Sequence, residues 1–207
     1  KQDLSSVSLD GYNTIILPDG HYKLDKSEMS QISEFADEGG VVIAISGALA
    51  NFIEKDGFSL SQYATDEEKD IAKKLVEQNK LEARLSSHHD QERRGIRNNV
   101  PGAIIKNLID VSHPLVFGLG DSYHSLKTSA QRYSYLKDAS NVVTVPADYK
   151  SYGFIGSQLK GAFSENFVFS VESKGSGTVI YMADNPLFRA FWKNGEVIFA
   201  NALFQVN

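Results

Sequence analysis

The unbroken apolar run Val41-Val42-Ile43-Ala44-Ile45 constrains this chain most. Side chains alternate between the two faces of a strand, so a strand with one wet face alternates apolar and polar residues. A continuous run reads instead as a strand covered on both faces, the pattern of a parallel sheet between layers of helices. The flanks agree. Residues 12–17 (YNTIIL) form a short β-rich run that Pro18-Asp19-Gly20 ends with turn chemistry. Met29, Ile32 and Phe35 then recur at helical spacing, and Gly39-Gly40 supplies a stop. Residues 47–53 suit a short helix. The order strand, helix, strand, helix predicts an α/β fold with three layers: a mostly parallel sheet with helices on both faces.

Beyond this unit the middle of the chain is elaborated. Residues 65–85 carry the clearest helical pattern, with a capping box at Thr65 and Glu68 and an apolar stripe of Ile71, Ala72, Leu75 and Val76. A solvated outer helix is the plain expectation for it. Residues 86–99 (SSHHDQERRGIRNN) are polar. Short strand-like runs follow at 103–105, 141–145, 167–171 and 178–182, with Gly175-Ser176-Gly177 as a tight turn. Helix-like pieces at 186–192, with Pro186 in an allowed first-turn position, and at 196–204 close the chain.

Composition narrows the function classes. The chain has 207 residues, is 42% hydrophobic, and suits one domain of generous size. A net charge of −5 argues against a nucleic-acid partner, which calls for a basic face. No apolar run approaches the roughly 20 residues of a spanning helix. The start, Lys1-Gln2-Asp3-Leu4, has neither Met nor a signal-peptide pattern, so an excised piece or a mature product is expected. The absence of cysteine removes disulfides, thiolate metal sites and thiol nucleophiles together.

Five kinds of local pattern bear on chemistry. His89 and Glu92 match an H-x-x-E zinc spacing, but His88, Arg93 and Arg94 crowd them with positive charge, and His21, His113 and His124 stand at no ligand spacing. No metal is expected in this chain. Ser46 follows the apolar strand and opens a small-residue turn, where α/β hydrolytic enzymes carry a nucleophile. Ala44 and Ala48 stand at the glycine positions of G-x-S-x-G, so packing of helix on sheet explains the small residues equally well. Asp19, His21 and Tyr22 lie just past the end of a strand, where open α/β sheets bind ligands, and with Ser46 they are candidates to line one crevice. Gly118-Leu119-Gly120 and Gly175-Ser176-Gly177 lack the context of phosphate loops. Arg189 sits among Phe188, Phe191 and Trp192. It suits either carboxylate binding or, as the plainer expectation, pinning the C-terminal pieces through Asp184 or Glu196.

The succession of strand, Pro18-Asp19-Gly20, helix, Gly39-Gly40 and VVIAISGA resembles the early half of the class I glutamine amidotransferase-like fold, a flavodoxin-like three-layer architecture. In that family a strand ends in a Pro-Gly-Gly-type loop and the next ends in a nucleophile elbow. Here Ser46 stands where an active member carries Cys, which implies a non-catalytic relative. More narrowly, residues 12–22, 34–50, 92–106, 110–119 and 183–204 resemble the C-terminal region of large bacterial zinc carboxypeptidases, relatives of carboxypeptidase A. There an upstream domain carries the zinc and the proteolysis. The resemblance covers most of the chain. It implies one amidotransferase-like domain over 1–207, either clipped inside or missing its first strand–helix unit. No zinc ligand or peptidase residue carries over.

Three functions are therefore expected to compete. The first is a non-catalytic accessory domain of a secreted or periplasmic zinc carboxypeptidase. It would pack on the upstream peptidase domain or help present a peptide, with zinc held in that domain and no cofactor in this chain. The second is a serine hydrolase using Ser46 with His21 as base. The third is a peptide- or glycan-binding module using the crevice of Asp19, His21, Tyr22 and Ser46.

Overall fold

The structure, a computed structural model, describes residues 4, 7–62, 76–77, 80–81 and 95–206. Most of the helix expected at 65–85, with its capping box at Thr65 and Glu68, lies outside the described residues, as do His89 and Glu92.

Strand β1 (Thr14–Leu17) leads into helix α1 (Lys26–Asp37), which returns the chain to strand β2 (Val41–Ile45). Asp25 caps α1 in a full capping box. Its carboxylate accepts from the Glu28 N–H at 2.9 Å, and Glu28 accepts from the Asp25 N–H at 2.9 Å. Two free amides of the first turn are thereby satisfied. Gly39, at φ 110°, turns the chain out of the helix. β1 and β2 pair in parallel, and β2 pairs in parallel with β8 (Gly177–Met182).

The continuous run behaves as its pattern requires. All five residues of β2 are buried. Val42 and Ala44 pack with Met29, Ile32, Phe35 and Ala36 of α1 on one face. Val41, Ile43 and Ile45 face the other side, with Ile198 and Ala202 of the C-terminal helix α2 (Lys193–Phe204). β8 is buried throughout and alternates in the same way, with Val179 and Tyr181 on one face and Ile180 and Met182 on the other. Helices thus cover both faces, as expected.

The sheet is not mostly parallel, however. Among the described residues it has eight strands, in the order β1-β2-β8-β7-β5-β3-β4, with β6 also paired to β3. Its further strands are β3 (Gly102–Ile109), β4 (Ser122–Lys127), β5 (Ser140–Thr144), β6 (Ser151–Phe154) and β7 (Phe167–Lys174). The pairings β8–β7, β7–β5, β5–β3, β3–β4 and β3–β6 are all antiparallel. For β7–β8 the reason is the connection. Parallel neighbours need a crossover of a dozen or more residues, usually helical, whereas a hairpin needs a tight turn. Between β7 and β8 there is only such a turn, built on Gly175 at φ 57°.

Smaller corrections follow. Residues 46–51 form a 3₁₀ turn (Ser46–Asn51). The helix expected at 186–192 reduces to a 3₁₀ turn at Phe188–Ala190 with non-helical dihedrals at Arg189. α2 begins three residues earlier than its apolar pattern predicts. β4 and β6 carried no strand expectation. β4 reads SYHSLK, whose buried positions are Tyr123, Ser125 and Lys127, so polarity masks its inward face.

Candidate functional site

Because β1, β2 and β8 run parallel, their carboxyl ends open on the same side of the sheet, the edge where open α/β sheets bind ligands. Three loops leave from there: Pro18-Asp19-Gly20, Ser46-Gly47 and Asp184-Asn185. One carboxylate ties them together. Asp19 accepts from the Gly47 N–H at 3.0 Å through Oδ1 and from Asn185 Nδ2 at 3.2 Å through Oδ2. Gly47 is required by packing: a Cβ there would stand 2.5 Å from the Gly20 carbonyl oxygen. Tyr22 closes the first loop by donating its hydroxyl to the Pro18 carbonyl at 2.9 Å. Burial, helped by the Asp19 charge, raises the pKa of that phenol, which keeps it a donor.

Ser46 sits at the tip of the β2 elbow with φ 49°, in the left-handed region. A non-glycine residue held there carries strain of about 1–3 kcal/mol. Its side chain is half-buried, and among the described residues its hydroxyl has no hydrogen-bond partner. The structure brings Asp19 against the Ser46-Gly47 turn through the Gly47 N–H, with Tyr22 closing the Asp19 loop on Pro18. It does not bring in His21 as a base: His21 is exposed and, among the described residues, makes no hydrogen bond or ion pair. The expected pairing of Ser46 with His21 is therefore not assembled. Asp19, the one acid of the group, has both oxygens engaged by amide donors and orients no imidazole.

Asn185 is the residue that sequence reasoning missed. It bridges two ways, since its Oδ1 accepts from the Leu187 N–H at 2.9 Å while its Nδ2 holds Asp19. The available signal was an Asn-Pro pair just past a strand, the chemistry of an Asx turn. Behind it, Asp184 forms a buried ion pair with Lys127 at 2.9 Å. Lys127 also lies 5.2 Å from the centre of the Phe163 ring. Burial and the Asp184 charge together push the phenols of Tyr123 and Tyr133 far above their ordinary range.

This settles the role expected for Arg189. Asp184 belongs to Lys127, and Glu196 pairs with Lys193 at 2.8 Å. Among the described residues, Arg189 pins neither C-terminal piece through an acid. Its guanidinium instead lies over the Phe188 ring, 5.3 Å from the ring centre. His113 is a cap: its Nδ1 accepts from the Leu115 N–H at 3.1 Å, and burial lowers its pKa. Among the described residues, no group of three or more His, Asp or Glu side chains is placed to hold a metal, and no helix is long and apolar enough to cross a membrane.

No protein-family model matches this sequence, and no curated protein sequence matches it. Solved structures do. The chain is similar to a cytoplasmic protein of Salmonella typhimurium, at 14% identity and TM-score 0.56 over 96% of this chain and 73% of that one. It is similar to a ThuA-like protein of Parabacteroides merdae, at 12% identity and TM-score 0.54 over 98% of this chain and 74% of that one. It is also similar to a β-galactosidase of Bacillus circulans, at 13% identity and TM-score 0.53 over 97% of this chain but only 24% of that one. At such identities what is shared is the fold: the chain has a mixed α/β architecture also found in ThuA-like proteins and within a β-galactosidase.

Proposed function

We propose that this chain is a non-catalytic accessory domain whose crevice, at the ends of β1, β2 and β8, binds rather than transforms a ligand. One observation carries the proposal. Asp19 is bound to two amide donors, and among the described residues no base lies within hydrogen-bond reach of the Ser46 hydroxyl. Nucleophilic catalysis needs that base within hydrogen-bond reach. The fold's occurrence as about a quarter of a β-galactosidase chain supports an accessory role within a larger enzyme.

The resemblance over five segments extends the proposal to the parent, a secreted or periplasmic zinc carboxypeptidase in which zinc belongs to the upstream domain. A packing face for that domain is available at α2. Asn201 donates to the Leu115 and Phe117 carbonyls at 3.1 and 2.8 Å. Around this clamp Phe117, Val197 and Phe204 are exposed, with Phe117 and Phe204 each at 73%. Exposed apolar surface of this kind marks interaction sites. The purified chain, assayed with and without zinc on peptides with free C-termini, is expected to release no residues. Zinc-dependent release by this chain alone overturns the proposal.

The left-handed backbone of Ser46 favours a second reading, a serine hydrolase with its nucleophile on a strained elbow. A serine-directed fluorophosphonate tests it. Labelling abolished by Ser46→Ala supports the hydrolase; no labelling supports the accessory domain.

A further inference from the structure

We infer that the loop 185–192 is a carboxylate-recognition element at the lip of the crevice, taking a small ligand that carries a free carboxylate beside an apolar group. This rests on the crevice being a binding site rather than a catalytic one. Arg189 supplies the charge. Among the described residues no acid pairs with its guanidinium, which is exposed and lies over the Phe188 ring, 5.3 Å from its centre. An exposed guanidinium without an acid partner can present its N–H edge, the edge that grips a carboxylate with two parallel hydrogen bonds. The ring also orders the side chain in advance, so less rotamer freedom is lost on binding.

The backbone supports the same assignment. Arg189 and Ala190 are consecutive non-glycine residues in the left-handed region, at φ 50° and 54°. Strain of this kind persists only where the surroundings hold it, and it concentrates at binding sites. Here the holding groups are visible. Asn185 anchors the loop to Asp19 and to Leu187, and the Ala190 N–H donates to the Leu187 carbonyl at 3.0 Å. On the far side Gly195 packs so tightly on Pro186 that a Cβ would stand 2.0 Å from its carbonyl oxygen.

The surface beside Arg189 is suited to the apolar part of such a ligand. Phe191 is 53% exposed and meets both Phe188 and Trp192 edge-on, with ring centres 5.9 Å apart in each case. Phe191 and Trp192, with His124, Lys193 and Asn194, line a depression of about 250 Å³. The Trp192 indole N–H donates to the His124 carbonyl at 2.7 Å, which fixes the ring.

Trp192 is the chain's only tryptophan, so its fluorescence reports on this loop alone. N-acetylphenylalanine is expected to shift the emission saturably. Its affinity is expected to fall about tenfold or more in Arg189→Gln, and equally when the ligand is N-acetylphenylalaninamide. Arg189→Lys keeps the charge without the fork and is expected to fall between. If Ala-Ala-Phe binds more tightly than N-acetylphenylalanine, the source is a peptide C-terminus; if it does not, the source is a free acid. Equal responses to acid and amide, an unchanged affinity in Arg189→Gln, or no saturable response to any of these carboxylates overturns the inference. Failure of the non-catalytic reading would register separately, as labelling of Ser46 by a fluorophosphonate.

Discussion

Breaking the buried Lys127–Asp184 pair should destabilise the whole fold. The two side chains are 7% and 6% exposed, with the ammonium 2.9 Å from the carboxylate, so water cannot replace either partner. Lys127→Met keeps the volume of the stem and removes the charge, leaving a buried carboxylate uncompensated. Removing one partner from such a pair costs about 3–5 kcal/mol. In a domain of this size 1 kcal/mol corresponds to about 2–4 °C, so Tm is expected to fall by about 6–20 °C. The double variant Lys127→Met, Asp184→Leu replaces the pair by apolar groups and is expected to recover most of the loss. Because Asp184 precedes Asn185, the single variant should also loosen the clamp on Asp19 and speed amide exchange at Gly47. Thermal and urea denaturation measure the first effect, and hydrogen exchange by NMR the second. A loss below about 1 kcal/mol, the value of an exposed pair, refutes the reasoning.

Other outcomes follow from the same geometry. Gly47→Ala drives a methyl to 2.5 Å from the Gly20 carbonyl and is expected to cost about 1–3 kcal/mol in urea denaturation while weakening any ligand of the crevice. Arg189→Gly relieves a left-handed backbone and removes the proposed ligand charge, so Tm should rise by about 2–4 °C while carboxylate binding is lost. Tyr123, Tyr133 and Tyr181 have folded pKa values well above 10, from burial first and then from the nearby Asp184 or Glu172 charge. The unfolded phenols ionise first as pH rises, so stability is intact below about pH 10 and declines above it, by up to about 1.4 kcal/mol per tyrosine per pH unit. Urea midpoints measured across that range check the sign. At the acid end His113 works oppositely: its folded pKa is lowered, so its contribution is present above about 6.5 and fades as pH falls further. His113→Gln should flatten that limb of the Tm–pH curve.

The first half of the fold was legible because local rules and global packing agree there. β1, α1 and β2 fall where turn chemistry, helical spacing and the apolar run place them, and helices cover both faces as that run requires. The direction of the remaining strands was not. A short apolar strand looks alike whether its neighbour runs with or against it, and the connection decides. β4 escaped because it buries Ser125 and Lys127, whose polarity imitates a loop. That the Asp19 loop and the Ser46-Gly47 turn are neighbours was legible because each lies at or just past a strand end. His21 is exposed, a feature the sequence did not show, because adjacency in sequence says nothing about which way a loop side chain turns.

The sequence by itself determined a two-sided apolar strand, a strand-to-turn elbow at Ser46, and the exclusion of thiol chemistry. Those follow from side-chain type and period, which need no partner. Only the tertiary structure decided that Asp19 holds Gly47 and Asn185, residues 28 and 166 positions away. The same is true of Asp184, whose buried cation is Lys127 rather than Arg189, which lies exposed over the Phe188 ring. The physical reason is the same in each case. A buried or engaged charge takes whichever partner the folded sheet brings within about 3 Å, and that choice depends on strand order, which no local pattern encodes.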